Sequence, residues 1–555
     1  MEIFWALVRF WTNVVILAIF LGMLLRNAPN HIIPFTSRRD TAIISAISAF
    51  IYMTLYNVYI YPRYLSPLRK LPQSDLIVDS SEFVPITIAP RGKKTLELVK
   101  RYPGADLINL RMVTGSQIAL PVSPAAHRAI LSEHAADYEK PSSGRYALSR
   151  SLGYGLILSE GETHRVHRKA ITPSFRIQNI RSLQPLIAKK TSLMLEGIAA
   201  EMHEKGQIEI SSWGSRLTMD IIGPALMSRD FGSLHSHNSD LEAAYAELVA
   251  PSWGAGFLFE MSMMLPPFIV RRLPVKENAM VDRTTTLIRH TCETILRDKM
   301  RDLKTAKFGE ETGTSDILGS VMANGNLSQN ELVDQMMTFL GAGHETTASS
   351  IAWVTHLLTL PQYAHYQELL RKEIRDAVSA RRADADPDEG ILSYSTLEAL
   401  PLLNGICEET LRLFPPVTNT GRVAIRDTII CDTHIKKNTI LVLFPWAINR
   451  NPAFWGVNAD DMVPERWIDE MPDGTRKANR HGGAPSNMCE LTFLHGNRSC
   501  IGKDFAKAEL RYVIAALFKD HQLKRLPGDD GTVIPAGSLT IKPQGGLYVA
   551  VTPVA

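Results

Sequence analysis

The 555-residue chain is 45% hydrophobic and 21% charged, a balance that buries a large core and excludes disorder or coiled coil as an overall description. Its 60 basic and 57 acidic residues give a net charge of +3 and are spread along the chain, without the basic stripe that tracks phosphates, so nucleic acid is excluded as a partner. Cys292, Cys407, Cys431, Cys489 and Cys500 are odd in number, widely spaced and form no CxxC pair, which suits reduced thiols rather than a disulfide framework.

Near the N-terminus, Thr41 to Tyr61 is a run of 21 uncharged residues rich in Ile, Ala, Phe and Tyr, long enough to cross a hydrocarbon core as a helix. A shorter apolar stretch, Phe10 to Leu25, is a second candidate, and no small-residue cleavage site follows it. Residues 1–61 are therefore expected to form a membrane anchor of one or two transmembrane helices. Residues 62–75 follow as a stiff basic hinge, with Pro62, Pro67 and Pro72 set among Arg63, Arg69 and Lys70. Arg26, Arg38 and Arg39 lie between the two apolar runs, so the positive-inside rule leaves the topology open. No linker, repeat or composition break divides what remains, and residues 76–555 read as one catalytic unit.

Further along, Trp253 to Val270 holds a single charge, Glu260, with two prolines and two glycines that interrupt helical periodicity. It reads as an entry region touching the bilayer, with a core helix as the alternative. Glu331 to Leu360 then predicts one long helix ended by Pro361. Inside it stands Ala342-Gly343-His344-Glu345-Thr346-Thr347, small residues followed by an acid and a hydroxyl. Thr346 is placed to bond back to the Ala342 carbonyl, four residues earlier. Glu409-Thr-Leu-Arg412 sets opposite charges at i and i+3 on a helix that ends before Pro415.

The most specific string is Phe493-Leu-His-Gly496-Asn-Arg498-Ser-Cys500-Ile-Gly502, which leads into a helical pattern from Lys503 to Phe518. A loop thus delivers Cys500 to a helix N-terminus, where the dipole and free N–H groups favour a thiolate. Gly496 and Gly502 permit backbone geometry or close approach that a Cβ would obstruct. Phe493 is placed to cover the sulfur.

At these residues the sequence resembles the haem-binding loop of the cytochrome P450 superfamily, F-x-x-G-x-R-x-C-x-G, at all five fixed positions. The resemblance implies a mainly α fold with small β-sheets, strands being expected near Asp106 to Val113 and Gly546 to Val551. It makes Cys500 the axial ligand of haem b and Arg498 a partner of a haem propionate. The thiolate, as electron donor, suits oxygen activation. By the same resemblance Thr346 organises proton delivery to dioxygen and Glu345 belongs to the proton supply. Glu409, Arg412 and Arg466, the last in Pro464-Glu-Arg466-Trp467, become a buried structural network. Arg168 matches a propionate arginine, with His164 where the family usually has tryptophan, and Arg422 matches another.

No G-x-G-x-x-G, P-loop, H-E-x-x-H or G-x-S-x-G string is present, so nicotinamide, nucleotide, zinc-protease and serine-hydrolase sites are not expected. Electrons are then expected from a separate NADPH-cytochrome P450 reductase, with cytochrome b5 as a second donor. Arg165, Lys169, Lys503 and Lys507 are candidates for steering such an acidic partner. The implied enzyme is a monooxygenase acting on a small lipophilic molecule, of terpenoid or polyketide type, anchored in the endoplasmic reticulum and facing the cytosol. A haem-thiolate isomerase or dehydratase, and a haem sensor or carrier, are the alternatives; the Glu345-Thr346 pair counts against both.

Overall fold

Two apolar helices lead the chain. In the computed structural model, which describes residues 2–27, 38–74, 92–112, 116–235, 240–249, 253–305, 316–323, 327–380, 392–537 and 539–554, α1 spans Glu2–Asn27 and α2 spans Arg38–Leu55. The second helix does not stop at Tyr61, as the prolines led us to expect, but continues in wider π-type turns from Tyr56 to Leu65 with Pro62 inside. Proline cannot donate its own helical bond, and a wider turn is one way to absorb that loss. Arg39–Leu65 is long and apolar enough to cross a bilayer, and Arg9–Leu25 is a shorter apolar helix. Of the hinge, residues 62–74 are described; Asp75 and the first residues of the catalytic unit lie outside the described residues.

Beyond the hinge the order is β1 (Leu107–Arg111), β2 (Gln117–Pro121), β3 (Tyr138–Glu139), α3 (Gly161–Ile171), β4 (Ile208–Glu209), α4 (Ile210–Met227), α5 (Asp240–Val249), α6 (Trp253–Met264) and α7 (Lys276–Thr305). Then come α8 (Gln329–Thr359), α9 (Pro401–Leu413), β5 (Thr420–Ala424), β6 (Ile440–Leu443), α10 (Lys503–Asp520), β7 (His521–Arg525) and β8 (Tyr548–Pro553). The largest sheet runs β1-β2-β6-β5-β3, with only β2 and β6 parallel. A three-stranded sheet, β7-β8-β4, joins the C-terminus to the entrance of α4. Both expected strands are thus present within two residues of their predicted limits, Val113 lying outside the described residues.

The long helix α8 is the centre of the core. Ser328 starts it with a capping box: its hydroxyl accepts from Glu331 N, while the Glu331 carboxylate accepts from Ser328 N at 2.8 Å. Met336, Leu340, Ile351 and Leu358 are fully buried along it. It packs along α4, where a Cβ added to Gly214 would stand 3.3 Å from the Ala348 carbonyl oxygen. That close approach fixes two helices against each other just beyond the Ala342–Thr347 string. The mainly helical architecture with small sheets agrees with the fold class read from the sequence.

The Trp253–Val270 segment resolves into α6 and a short turn of helix from Pro267 to Val270. Leu258 and Val270 are buried, whereas Phe268 is 60% exposed. The segment therefore makes core contacts and leaves one large apolar side chain, Phe268, open.

Candidate active site

Cys500 sits where the loop from Phe493 meets the N-terminus of α10. Its backbone N–H donates to the Phe493 carbonyl at 2.8 Å, closing the loop. Gly496 has φ +67°, and an added Cβ would collide with the Leu131 carbonyl oxygen, so glycine is required twice over. Gly502 differs from expectation: its φ is −88°, and a Cβ there would meet only Phe175, at 4.0 Å. The protein itself does not demand glycine at that position; only the contents of the cavity beside it would.

That cavity, about 320 Å³, runs from the cysteine loop to α8 and has mostly apolar walls, among them Leu156, Ile222, Phe339 and Phe505. Cys500 opens onto it. Enclosure by protein on the other sides pushes the thiol's pKa up, against the pull of the Gly502 N–H, Arg168 and Lys503. The helix N-terminus therefore contributes but does not win; a cation bound at sulfur would have to complete the deprotonation. Phe493 also lines the cavity, with the Lys503 and Lys507 ammonium groups 5.7 and 5.4 Å from its ring centre.

A cationic rim borders the same cavity. Arg168 donates to the Ser499 carbonyl at 2.7 Å. Arg498 donates to the Ser159 carbonyl at 2.9 Å and pairs with Glu160. His164, 7% exposed, has its pKa lowered to about 3 by burial and by Arg498, Lys140 and Arg168, so at neutral pH it is an uncharged imidazole with one N–H to give. Lys140 lines the cavity too, its pKa lowered to about 7 by burial and by Arg422. Arg422 lies behind the wall on β5, 3% exposed, with Nη1 donating to Gly421 O at 2.8 Å and Nη2 buried without a partner. Sequence reasoning missed Lys140 and Glu160, because neither stands in a recognisable string; only the fold brings them to the rim.

Across the cavity, α8 presents Ala342, Gly343, Thr346 and Thr347. The Thr346 hydroxyl donates to the Ala342 carbonyl at 2.9 Å, and that of Thr347 to Gly343 at 3.3 Å. Gly343 is small chiefly because of α4: an added Cβ would stand 3.2 Å from Ile222. Glu345 is not brought to this cavity. It is 3% exposed, bound by Lys542 and within 3.2 Å of His344 Nε2, and it lines a second cavity on the other side of α8. Burial would raise its pKa, but His344 and Lys542 hold it at about 2.

Glu409 and Arg412 form a fully buried two-bond pair on α9, at 2.7 and 2.8 Å. Trp467 Nε1 donates to the same carboxylate at 2.9 Å, and Arg466 Nε stands 3.3 Å from it. Arg412 also donates to the Asn449 carbonyl at 2.6 Å, and Asn449 donates to the Thr492 hydroxyl at 2.8 Å, one residue from Phe493. The network therefore reaches the cysteine loop through Asn449, a residue with no sequence signal beyond being polar in an apolar run. Of the four basic residues read as partner-steering, Lys507 is committed to Glu408 and Arg165 pairs with Glu162.

Do these residues fit a haem? One thiol at the end of an apolar cavity, three arginines, a lysine and a neutral imidazole around Glu160, and a buried guanidinium nitrogen with no acceptor among the described residues together fit an anionic, largely apolar group ligated by sulfur, as a haem is. Such a site defines a haem-thiolate protein. The cytochrome P450 family model matches residues 95–550, and the chain belongs to that family. It is similar to the cytochrome P450 monooxygenase sphH of Aspergillus fumigatus, 33% identical over 90% of this chain and 91% of that protein. Cytochrome P450 monooxygenase ptmK of Penicillium ochrochloron is also 33% identical, over 89% and 96% of the two chains. FUM15 of Gibberella moniliformis, likewise described as a cytochrome P450 monooxygenase, is 31% identical over 90% and 91%. The chain is accordingly a cytochrome P450 monooxygenase, of a family that uses a haem-thiolate cofactor, redox partners and lipophilic substrates and whose fungal members are typically membrane-associated.

Proposed function

We propose that this enzyme hydroxylates or epoxidises a small lipophilic molecule of terpenoid or polyketide type in secondary-metabolite biosynthesis. One oxygen atom of dioxygen enters the substrate and the other leaves as water, at the expense of two electrons and two protons. The electrons come from NADPH-cytochrome P450 reductase, with cytochrome b5 as a second donor. Residues 1–61 are the anchor, its second helix running on to Leu65 into the hinge of 62–75, and 76–555 the catalytic unit, in the endoplasmic reticulum with the active site on the cytosolic side. The single observation that carries this reading is one cavity with a lone thiol at one end and Ala342, Gly343 and Thr346 facing it from α8.

In this reading Cys500 ligates haem b, which when bound supplies the redox chemistry that activates dioxygen. Arg168, Arg498 and Arg422 neutralise its carboxylates, with His164 as a neutral donor. Phe493 shields the sulfur from water, and Gly496 sets the loop. The apolar walls exclude water and hold the substrate by burial. Thr346 orders a proton donor at the cavity face, and Glu345 replenishes it. Glu409, Arg412 and Arg466 fix the loop from beneath.

Replacing Cys500→Ser is expected to abolish the reduced carbon-monoxide spectrum of a thiolate-ligated haem, whereas Cys292→Ser, Cys407→Ser, Cys431→Ser and Cys489→Ser retain it. A thiolate spectrum surviving in Cys500→Ser overturns the assignment. Metabolite profiles with and without the enzyme, coexpressed with a reductase, identify the substrate class.

A further inference from the structure

We propose that α1 and α2 cross the bilayer together as one helical hairpin, so that the N-terminus lies on the same side as the catalytic unit. The inference rests on reading this segment as a membrane anchor, and it goes beyond that reading by fixing the number of spans and the place of the N-terminus.

Three observations carry it. First, the helices pack intimately. Val14, Ser45 and Ala49 are buried between them, Trp11 stacks on Phe50 with ring centres 5.6 Å apart, and a Cβ placed on Gly22 would lie 3.5 Å from the Ser45 hydroxyl. Small residues at a helix contact are what association inside lipid favours, since the acyl chains offer no hydrophobic penalty to drive it. The Ser45 hydroxyl donates to Thr41 O at 2.7 Å, so it brings no unpaired polar group into the seam.

Second, the outward faces of both helices are apolar and open. Ile16, Phe20 and Met23 on α1 and Ile47, Ile51 and Leu55 on α2 are each more than half exposed. A soluble hairpin would present polar groups there; lipid is the partner whose chemistry fits. At 26 residues, α1 is about 39 Å long. Its uncharged run lies between Arg9 and Arg26, shorter than α2's apolar stretch, and reaches across the ~30 Å hydrocarbon layer only with both arginines snorkelling to the interfaces.

Third, the pairing is antiparallel. Gly22 meets Ser45 and Trp11 meets Phe50, so the first turns of α1 lie level with the turns from Tyr56 to Leu65, where the chain enters the catalytic unit. Helix α1 also runs beside α6 of the catalytic unit. A single span carrying the N-terminus to the far side would require α1 to leave both α2 and α6. With the hairpin, Arg9, Arg63, Arg69 and Lys70 share one side against Arg26, Arg38 and Arg39, which the positive-inside rule does not oppose.

Glycosylation-acceptor tags with flexible spacers test it in the full-length protein, placed ahead of Met1, between Asn27 and Arg38, or after Ala555. The hairpin expects the first and last tags to share one fate and the middle tag to have the opposite one. Different fates for the first and last tags, or equal fates for all three, overturn it. Glycans on the outer two tags with none on the middle one would keep the hairpin but refute a cytosolic active site. Release of the chain by alkaline carbonate would refute membrane anchoring itself. Packing is checked by Gly22→Cys with Ser45→Cys, whose Cβ positions stand 3.9 Å apart, inside the range for a disulfide. After oxidation and cleavage at a protease site inserted between the helices, α1 should remain attached until reductant is added; separation without reductant overturns the packing.

Discussion

Lys542 binds both carboxylate oxygens of Glu345, at 2.9 and 2.7 Å, although 197 residues separate the two in the chain. The ammonium comes from the short strand pair Pro535–Ala536 and Lys542–Pro543 and the carboxylate from α8, so the contact fastens that strand pair to the helix that faces the cysteine. It also turns Glu345 toward the second cavity and away from Thr346.

Lys542→Met is expected to strand the buried carboxylate with His344 alone. The cost is up to about 3 kcal/mol near neutral pH, the scale for breaking a buried pair from one side. Because Glu345 titrates at about 2 rather than 4.5, its contribution is complete above the ordinary carboxylate range and is lost as pH falls through its folded value. Wild type and variant should therefore differ in thermal unfolding at neutral pH and converge in strong acid. Equal midpoints at neutral pH would show that the contact is energetically idle.

Gly496→Ala should be far more damaging than Gly502→Ala. The first adds about 1–2 kcal/mol of left-handed backbone strain to a collision with Leu131 O. The second meets only Phe175, at 4.0 Å, an ordinary contact. Purified Gly496→Ala is expected to retain little haem, while Gly502→Ala folds and shows an altered haem environment. Haem content per protein and the absorption spectrum separate the two.

Glu409→Gln and Arg412→Leu each remove one side of a pair that is completely buried, and each should cost about 3–5 kcal/mol. Both variants should express as unstable protein that loses haem, since Asn449 carries the disturbance to Thr492 and the cysteine loop. The check is proteolysis of the apo- and holoprotein. A stable, haem-replete Arg412→Leu would refute the structural role.

His356 sets part of the acid limit of stability. It accepts from Arg525 at 2.6 Å through Nδ1, and burial with that arginine lowers its pKa to about 4. Between about pH 6.5 and this value the unfolded chain takes up a proton that the folded chain refuses. Stability then falls with falling pH by up to about 1.4 kcal/mol per unit from this group. His356→Gln should flatten the slope of unfolding midpoint against pH in that window; an unchanged slope would assign it to other groups.

Much of this site is legible in the sequence because its strings are local. The loop from Phe493 to Gly502 and the run from Ala342 to Thr347 each occupy one continuous turn of chain, so spacing alone orders their residues. The capped start of α8 and the Pro361 stop are local as well. What escapes is long-range: Lys140 and Glu160 at the rim, Asn449 beneath the loop, and Lys542 on Glu345 each meet their partners through tertiary packing. The anchor shows the same division, since hydropathy finds both apolar runs but not the seam between them. Proline punctuation misled at Pro62, where the helix continues because wider turns absorb the missing bond; an anchor-free protein is better begun at Ser66.

Thr346→Ala should separate proton delivery from cofactor binding. Its hydroxyl lines the cavity and donates to Ala342 O at 2.9 Å, while the side chain takes no part in the cationic rim or the cysteine loop. Haem spectrum and substrate binding should therefore stay close to wild type. Productive oxygenation needs protons placed in order at dioxygen, and disordered protonation instead releases hydrogen peroxide. Product per reducing equivalent is expected to fall on the order of tenfold, short of the ~100-fold or more of a direct acid, because water partly substitutes for the hydroxyl. Thr347 also borders the cavity but is 2% exposed, and it is rotated about 100° around the helix, so Thr347→Ala should mainly loosen packing against neighbouring helices. Peroxide and product, each counted per electron consumed, distinguish the two variants. Tight coupling in Thr346→Ala together with uncoupling in Thr347→Ala would move the proton-ordering role one residue along α8.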